Sequence, residues 1–297
     1  MSLEGPIFLR TEAGIADRAS AWYREHGRDF LWRRPGMTPW AIYLIEVMAQ
    51  QTQIERAARV ALDWIERWPR PSALAAVPPS EVIKAWGRLG YPRRALALHR
   101  AATVMAAEHG DEVPRELDAL LGLPGVGPYT AAAVASFAYG QRVPVVDTNI
   151  RRVLARALVG VEALPPSTRR DAELMDSILP EDPEAAKIAN VAVMELGALV
   201  CTPRAPDCEA CPIAHACAWR AAGYPRSAAE GRRQPRFAGS DREARGIVMA
   251  ELRAADRPVG RDELAALVAD PDRLDRALAG LVRDGLAVPV AAAFSLP

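Results

Sequence analysis

Leu123-Pro124-Gly125-Val126-Gly127-Pro128-Tyr129 is the stretch on which the fold turns. Segments of helical apolar period flank it, one ending near Leu121 and the next starting near Tyr129, so it joins two helices by a tight turn. Gly125, Val126 and Gly127 leave backbone N–H groups and a helix N-terminus open to an anion, with no Cβ at the glycines to obstruct it. A helix-hairpin-helix of this kind grips a nucleic-acid backbone without reading its sequence. By itself a Pro-Gly-Val-Gly turn is also ordinary loop punctuation, and its surroundings decide between the two.

Outward from the turn, helical periodicity dominates and alternating β-branched runs are scarce, so the chain reads as all-α. Helices are expected at about 14–26, 39–55, 57–68, 79–87, 93–109, 115–121, 129–139, 148–158, 168–179 and 183–200. Breaks such as Pro69-Arg70-Pro71, Gly90-Tyr91-Pro92 and Pro165-Pro166 separate them. A polar, Arg-rich segment at 223–240 reads as a linker. Beyond it, helices near 241–254, 261–269 and 271–284 precede apolar pieces at 286–288 and 293–294 that suit a hairpin. Leu274, Leu278, Leu281 and Val282 are expected on one buried face. Three helices and a hairpin suggest a winged-helix module, either touching DNA or serving to pack and dock.

With 297 residues, half of them hydrophobic, the chain can bury a sizeable core and fill about two domains. Disordered and fibrous classes are excluded. No run approaches the ~18 apolar residues of a membrane span, and the N-terminus lacks the basic-then-apolar order of a secretory signal. A soluble, cytoplasmic protein is the expectation. The 37 basic and 37 acidic residues cancel, so a polyanion would have to be held by a local patch. Lys84 and Lys187 are the only lysines. Arginine is the better fork for phosphate oxygens, although a GC-rich genome produces the same bias.

All four cysteines, Cys201, Cys208, Cys211 and Cys217, fall in one short segment. In a cytosolic chain such clustering points to metal and not to disulfides. One close pair flanked by two wider gaps suits a [4Fe-4S] cluster better than zinc, which usually takes two close pairs. Arg204, between the thiolates, is placed to reach DNA phosphates from the loop.

Two carboxylates stand out. Glu46 is the single charge in Trp40-Ala41-Ile42-Tyr43-Leu44-Ile45-Glu46-Val47-Met48-Ala49, where desolvation favours a proton and hence a general acid; the lesser alternative is a glutamate at the edge of a buried face. Gln50-Gln51-Thr52-Gln53 is expected to continue that helix and offer amides to base edges. Asp147 opens the helix of Asp147-Thr148-Asn149-Ile150-Arg151-Arg152, as an ordinary N-cap would.

Together, Trp32-Arg33, Glu46 through Gln53, Leu89-Gly90-Tyr91, the Gly125 turn, the Asp147 segment, Met194-Glu195-Leu196-Gly197-Ala198 and the cysteine loop resemble the adenine DNA glycosylases of the endonuclease III (HhH-GPD) superfamily. The resemblance covers about residues 15–222. It implies a two-lobed catalytic region over 1–222, with a six-helix barrel lobe at about 30–150 and a cluster lobe from about 10–29 and 151–222. It further implies a monomer acting on double-stranded DNA that contains a mispaired adenine. Glu46 would protonate adenine N7, and Asp147, helped by Asn149, would stabilise the sugar cation. Tyr129 takes the place of the lysine used by strand-cleaving relatives. Gln51 and Tyr91 match wedge residues that enter the base stack, and Arg33 is expected to face the DNA. Ala49 and Thr148 depart from the family's usual Leu and Gly. The 241–297 tail is too short for the family's usual Nudix-like reader of 8-oxoguanine, and Phe294-Ser295 is followed by Leu296 in place of His.

The chemistry has its own logic. Adenine leaves poorly as an anion, so one carboxyl must protonate it while another offsets the oxocarbenium charge. Rival readings are a thymine glycosylase at T:G mispairs, a pyrimidine glycosylase and lyase, and a non-catalytic iron-sulfur DNA-binding protein.

Overall fold

Proline at the first helical position, where its missing N–H is harmless, launches the helices that begin at Pro71, Pro79, Pro128, Pro183 and Pro271. A computed structural model describes residues 14–34, 36–226 and 236–297. The chain runs through α1 (Ile15–His26), α2 (Pro39–Ala49), α3 (Ile54–Arg67), α4 (Pro71–Ala75), α5 (Pro79–Trp86) and α6 (Arg93–Glu108). Next come α7 (Leu117–Gly122) and α8 (Pro128–Tyr139), on either side of Gly125. α9 (Thr148–Leu154) passes into a π-helical turn at Ala155–Val159 and is followed by α10 (Thr168–Asp176), α11 (Pro183–Leu199) and α12 (Ala218–Ala221). The middle of the expected linker, 227–235, and the first positions of the expected cluster lobe, 10–13, lie outside the described residues. The last elements are α13 (Asp241–Ala254), β1 (Val259–Gly260), α14 (Arg261–Leu267), α15 (Pro271–Arg283), β2 (Val288–Val290) and β3 (Ala293–Ser295). Among the described residues no helix is long and apolar enough to cross a membrane.

Contacts divide the chain into two units. The first comprises Met1–Ile42, Arg115–Gly122 and Val126–Gly231. Its core sets Ile15 and Ala19 of α1 with Ile150, Val153 and Leu154 of α9 and Ala189, Val193 and Leu196 of α11. Inside it Glu195 is fully buried, yet its carboxylate accepts from Arg28 Nε (2.9 Å), Arg28 Nη2 (2.8 Å) and Arg33 Nη2 (3.0 Å). Burial works to raise this carboxyl, but the two guanidinium groups prevail and hold it below the usual range.

The second unit comprises Tyr43–Pro114, Leu123–Gly125 and Arg232–Pro297. Trp64 meets Trp68 and Trp86 edge to face, at 4.8 and 5.9 Å between ring centres. The tail forms a winged-helix arrangement of α13, α14, α15 and an antiparallel sheet ordered β1-β3-β2. Phe294 pairs with Val259 on one side and with Pro289 on the other; Pro289 lies on an edge strand, where a missing donor is tolerated. The module's core, which includes Val248, Leu252, Leu264, Leu274, Leu278 and Leu281, is continuous with Ile83 of α5 and Leu96 of α6.

Two local expectations are corrected. α2 stops at Ala49, so Gln50–Gln53 does not continue it; Gln51 adopts a left-handed conformation (φ 54°) and α3 starts at Ile54. Val282 is 37% exposed, because α15 turns only Leu274, Ala277, Leu278 and Leu281 inward.

Candidate active site and nucleic-acid interface

Asp147 caps α9. Its Oδ1 accepts the N–H of Ile150 at 2.7 Å and its Oδ2 accepts from the Asn149 side-chain amide at 2.7 Å. Burial pushes this carboxyl above its ordinary range, against the pull of those two donors and the nearby charge of Arg152. Arg152 in turn donates from Nη2 to Asn149 Oδ1 (2.8 Å) and to the Gly197 carbonyl (2.6 Å), and from Nε to the Cys201 carbonyl (2.6 Å). Asp147, its amide partner and the start of the cysteine segment are therefore one hydrogen-bonded chain. Gly197 makes the arrangement possible, since a Cβ there would stand 2.8 Å from both Cβ and O of Asn149.

Glu46 is half-buried on α2, while Trp40, Tyr43, Leu44, Ile45, Val47 and Met48 around it in sequence are buried. A lone carboxyl on so apolar a helix has few competing polar neighbours along its own element, as the sequence implied. Tyr129, the second residue of α8, packs against Ala132, Ala133 and Val145.

Gln51 and Tyr91 are both exposed and both left-handed, at φ 54° and 47°. Neither residue type adopts that region readily, so something must hold them there. Arg94 does. Its Nη1 donates to the carbonyls of Val47 (3.0 Å) and Gln50, ending α2; its Nη2 donates to Thr52 Oγ1 and the Gly90 carbonyl, each at 3.3 Å. The same guanidinium lies over the rings of Trp86 and Tyr91, at 5.2 and 5.6 Å. Sequence reasoning missed Arg94, whose only signal was its place three residues after Tyr91.

In the hairpin, Gly125 has φ +79°, and a Cβ on it would come within 2.6 Å of Ala97 Cβ. Gly127 is extended, has open space around its Cβ position and caps α8 without any side-chain acceptor. The first N–H groups of α8 thus keep their attraction for an anion. Val126 sits between the two glycines and is half-buried.

Arg33, expected to face DNA, gives its guanidinium to Glu195 and lies over Phe30 at 4.8 Å. Arg204 is exposed on the cysteine segment. The four cysteines form no disulfide and line one cavity together with Val153, Ala157, Val200, Ile213 and Trp219. Burial, reinforced by the other thiols, pushes Cys211 up to about 11 and raises Cys217. Groups so reluctant to ionise need a positive centre to become thiolates. Among the described residues no three His, Cys, Asp or Glu side chains are grouped around a single ion. Four thiols lining one cavity supply the sulfur donors that a protein-held metal centre requires. Arg156, not singled out from sequence, clamps this segment: it donates to Cys201 Sγ (3.4 Å) and the carbonyls of Thr202 (2.9 Å) and Pro203 (3.2 Å), and lies over Trp219 at 4.5 Å.

Residues 44–180 match the model of the HhH-GPD superfamily base excision DNA repair protein. The adenine DNA glycosylase of Mycolicibacterium smegmatis is 50% identical over 267 residues, 90% of each chain. The chain belongs to the HhH-GPD superfamily. Within that superfamily it falls among the adenine DNA glycosylases, with the all-α fold the hairpin implied. The human adenine DNA glycosylase is 38% identical over 66% of this HhH-GPD chain and 38% of its own length. A thermostable thymine-DNA glycosylase superposes with a TM-score of 0.67 at 28% identity, covering 72% of this chain and 98% of that one. The mycolicibacterial match alone among these extends across nearly all of the chain, so it reaches into the winged-helix tail of this HhH-GPD protein.

Proposed function

We propose that this DNA N-glycosylase of base excision repair removes adenine mispaired with 8-oxoguanine or guanine, by hydrolysis and without a covalent enzyme intermediate. The target base is inaccessible in a duplex and must be turned out into a pocket, at a cost of a few kcal/mol that is smallest at a mispair. Glu46 protonates N7 of the adenine, turning a poor leaving group into a neutral one. Asp147 faces the deoxyribose cation left behind. The observation that carries the reading is the half-buried, doubly hydrogen-bonded setting of Asp147, where burial raises its carboxyl. An anion kept from water is costly in the free enzyme, and a cation forming against it is stabilised more than it would be in solvent.

Lysine chemistry has no candidate in the helix after the hairpin, where Tyr129 stands. Lys84 pairs with Asp256 at 3.3 Å, and Lys187 pairs with Glu184 at 3.8 Å. Both support a monofunctional enzyme that leaves an abasic site. The hairpin at Gly125, Val126 and Gly127 would hold backbone phosphates, while Gln51 and Tyr91, set by Arg94, would enter the stack. Cys201, Cys208, Cys211 and Cys217 would hold one [4Fe-4S] cluster, which keeps the Arg204 segment in place when bound. The enzyme would act as a cytoplasmic monomer. The opposite base would be read by the catalytic region and the short tail, or be read less selectively.

The test is base release from duplexes carrying A:8-oxoG, A:G, A:C and T:G, each treated with alkali to cut abasic sites. Adenine loss, with cleavage only after alkali, is expected. Preferential loss of thymine would overturn the substrate assignment. Colourless protein that holds stoichiometric zinc and no iron or acid-labile sulfide would overturn the cofactor.

A further inference from the structure

Charge in the winged-helix tail is matched nearly pair for pair. Arg245 meets Asp284, Arg257 meets Glu263, Arg261 meets Asp275, and Arg273 and Arg276 share Asp241. Arg253, in the last turn of α13, has no such partner among the described residues. It is half-buried, its Nε is shut off from solvent with no acceptor in reach, and among the described residues its guanidinium has no hydrogen bond or ion pair. The charge that acts on it is another cation, Arg88, which is exposed just beyond the end of α5 and is likewise without a partner among the described residues. α5 and α13 share a core, in which Ile83 packs with Val248 and Leu252, and Lys84 reaches Asp256 across the same junction. Two guanidinium groups are thus held near each other across an apolar contact, and neither has a carboxylate partner among the described residues.

Such a pairing costs stability in the free protein, because like charges repel and an enclosed donor is left unsatisfied. An oxyanion on the outer nitrogens of the two guanidinium groups would relieve the repulsion. Planar guanidinium forks bind phosphate oxygens especially well. Arg88 also lies two residues before Gly90 and three before Tyr91, the exposed left-handed residue assigned above to the base stack. We propose that Arg88 and Arg253 form a seat for a backbone phosphate of the bound duplex, through which the winged-helix tail helps to hold DNA. The proposal rests on the reading that the Tyr91 loop meets DNA. It gives the tail a role independent of base recognition, since phosphates position a duplex without reporting its sequence.

The experiment uses the full chain, the parent alongside Arg253→Gln and Arg253→Glu, with binding to an A:8-oxoG duplex measured across a salt series and thermal melting followed without DNA. Each lost phosphate contact lowers the slope of log K against log salt by about 0.9. Arg253→Gln is expected to show that drop with a melting temperature equal to or above the parent's, because the repulsion is gone. Arg253→Glu is expected to melt higher still, by pairing with Arg88, and to bind DNA more weakly than the Gln variant. An unchanged slope and affinity in Arg253→Gln would overturn the proposal. So would a lower melting temperature at unchanged slope, which would make the residue a packing element. Inorganic phosphate titrated against the parent separates the other source of the same chemistry: stabilisation lost in Arg253→Gln, with an unaltered salt slope, would assign the seat to a small anion and overturn the DNA role. If the parent itself releases no adenine and shows no salt-dependent duplex binding, the glycosylase reading fails. If the parent does both and Arg253→Gln matches it, only the phosphate seat fails.

Discussion

Asp147 shows how one residue can oppose stability and serve chemistry. Burial lifts its carboxyl above the ordinary range. A carboxyl shifted upward favours the folded state most when protonated, below its unfolded value near ~3.9, and loses that contribution as pH rises through the folded value. At neutral pH the charged form is therefore a cost. Asn in its place keeps an N-cap acceptor for Ile150 and removes the charge. Asp147→Asn is expected to melt at or above the parent temperature at pH 7 and to lose that advantage in acid, while base release falls by about two powers of ten or more, in line with usual acid-base contributions of 10² to 10⁴. Thermal melts at several pH values beside single-turnover assays check this. A variant that is both slower and markedly less stable would make Asp147 chiefly a cap. Glu195 is the opposite case, a buried carboxylate held below its ordinary range by Arg28 and Arg33. Its contribution is present above the unfolded value and fades only as pH falls through the folded one.

Among elements, the hairpin contains two glycines with different jobs. Gly125 needs a left-handed backbone and close approach to Ala97, whereas Gly127 is extended with open space beside it. Gly125→Ala should cost at least the 1–2 kcal/mol of a left-handed non-glycine residue, plus the clash, visible as a lower denaturation midpoint. Gly127→Ala should leave the midpoint close to the parent's and instead weaken duplex binding, because its Cβ would meet only an incoming phosphate. Equal loss of stability in both would remove the distinction. The junction after α2 makes a related point. The run Gln50-Gln51-Thr52-Gln53 contains no glycine or proline, so local propensity carried the expected helix through it. A guanidinium more than forty residues later takes the carbonyls instead, and no window of sequence around α2 contains that information. Arg94→Lys keeps the charge but loses the fork, and is expected to raise KM for a mispaired duplex more than it lowers the rate at saturation. An unchanged KM would place the control of Gln51 and Tyr91 elsewhere.

On the scale of the molecule, what was legible in the sequence was whatever chemistry forces into a local pattern. The four cysteines around one cavity, the glycine turn and the capping aspartate all appear, because a short loop, a tight turn and a helix start are built from neighbours in the chain. Glu195, Arg156 and Arg94 escaped notice as structural residues because each acts across a long sequence separation. The tail illustrates the limit most clearly. A polar linker at 223–240 suggested a separate unit, and three helices with a hairpin are present as expected, yet their apolar face does not close on itself. Ile83 and Leu96 belong to the same buried cluster as Val248, Leu252 and Leu278. Removing residues 241–297 would therefore uncover Ile83 and Leu96, at roughly 1.5–3 kcal/mol for each large apolar side chain returned to water. A chain ending at Ser240 is expected to melt well below the parent and to bind a dye that reports exposed apolar surface, even though the hairpin, Asp147 and the cysteine segment remain. Restoring polarity with Ile83→Gln and Leu96→Gln in the truncated chain should reduce dye binding without recovering the melting temperature, because the lost packing is not replaced. A truncated chain as stable as the parent would show that the tail is a dispensable appendage, and the shared core would then carry no part of the fold's stability.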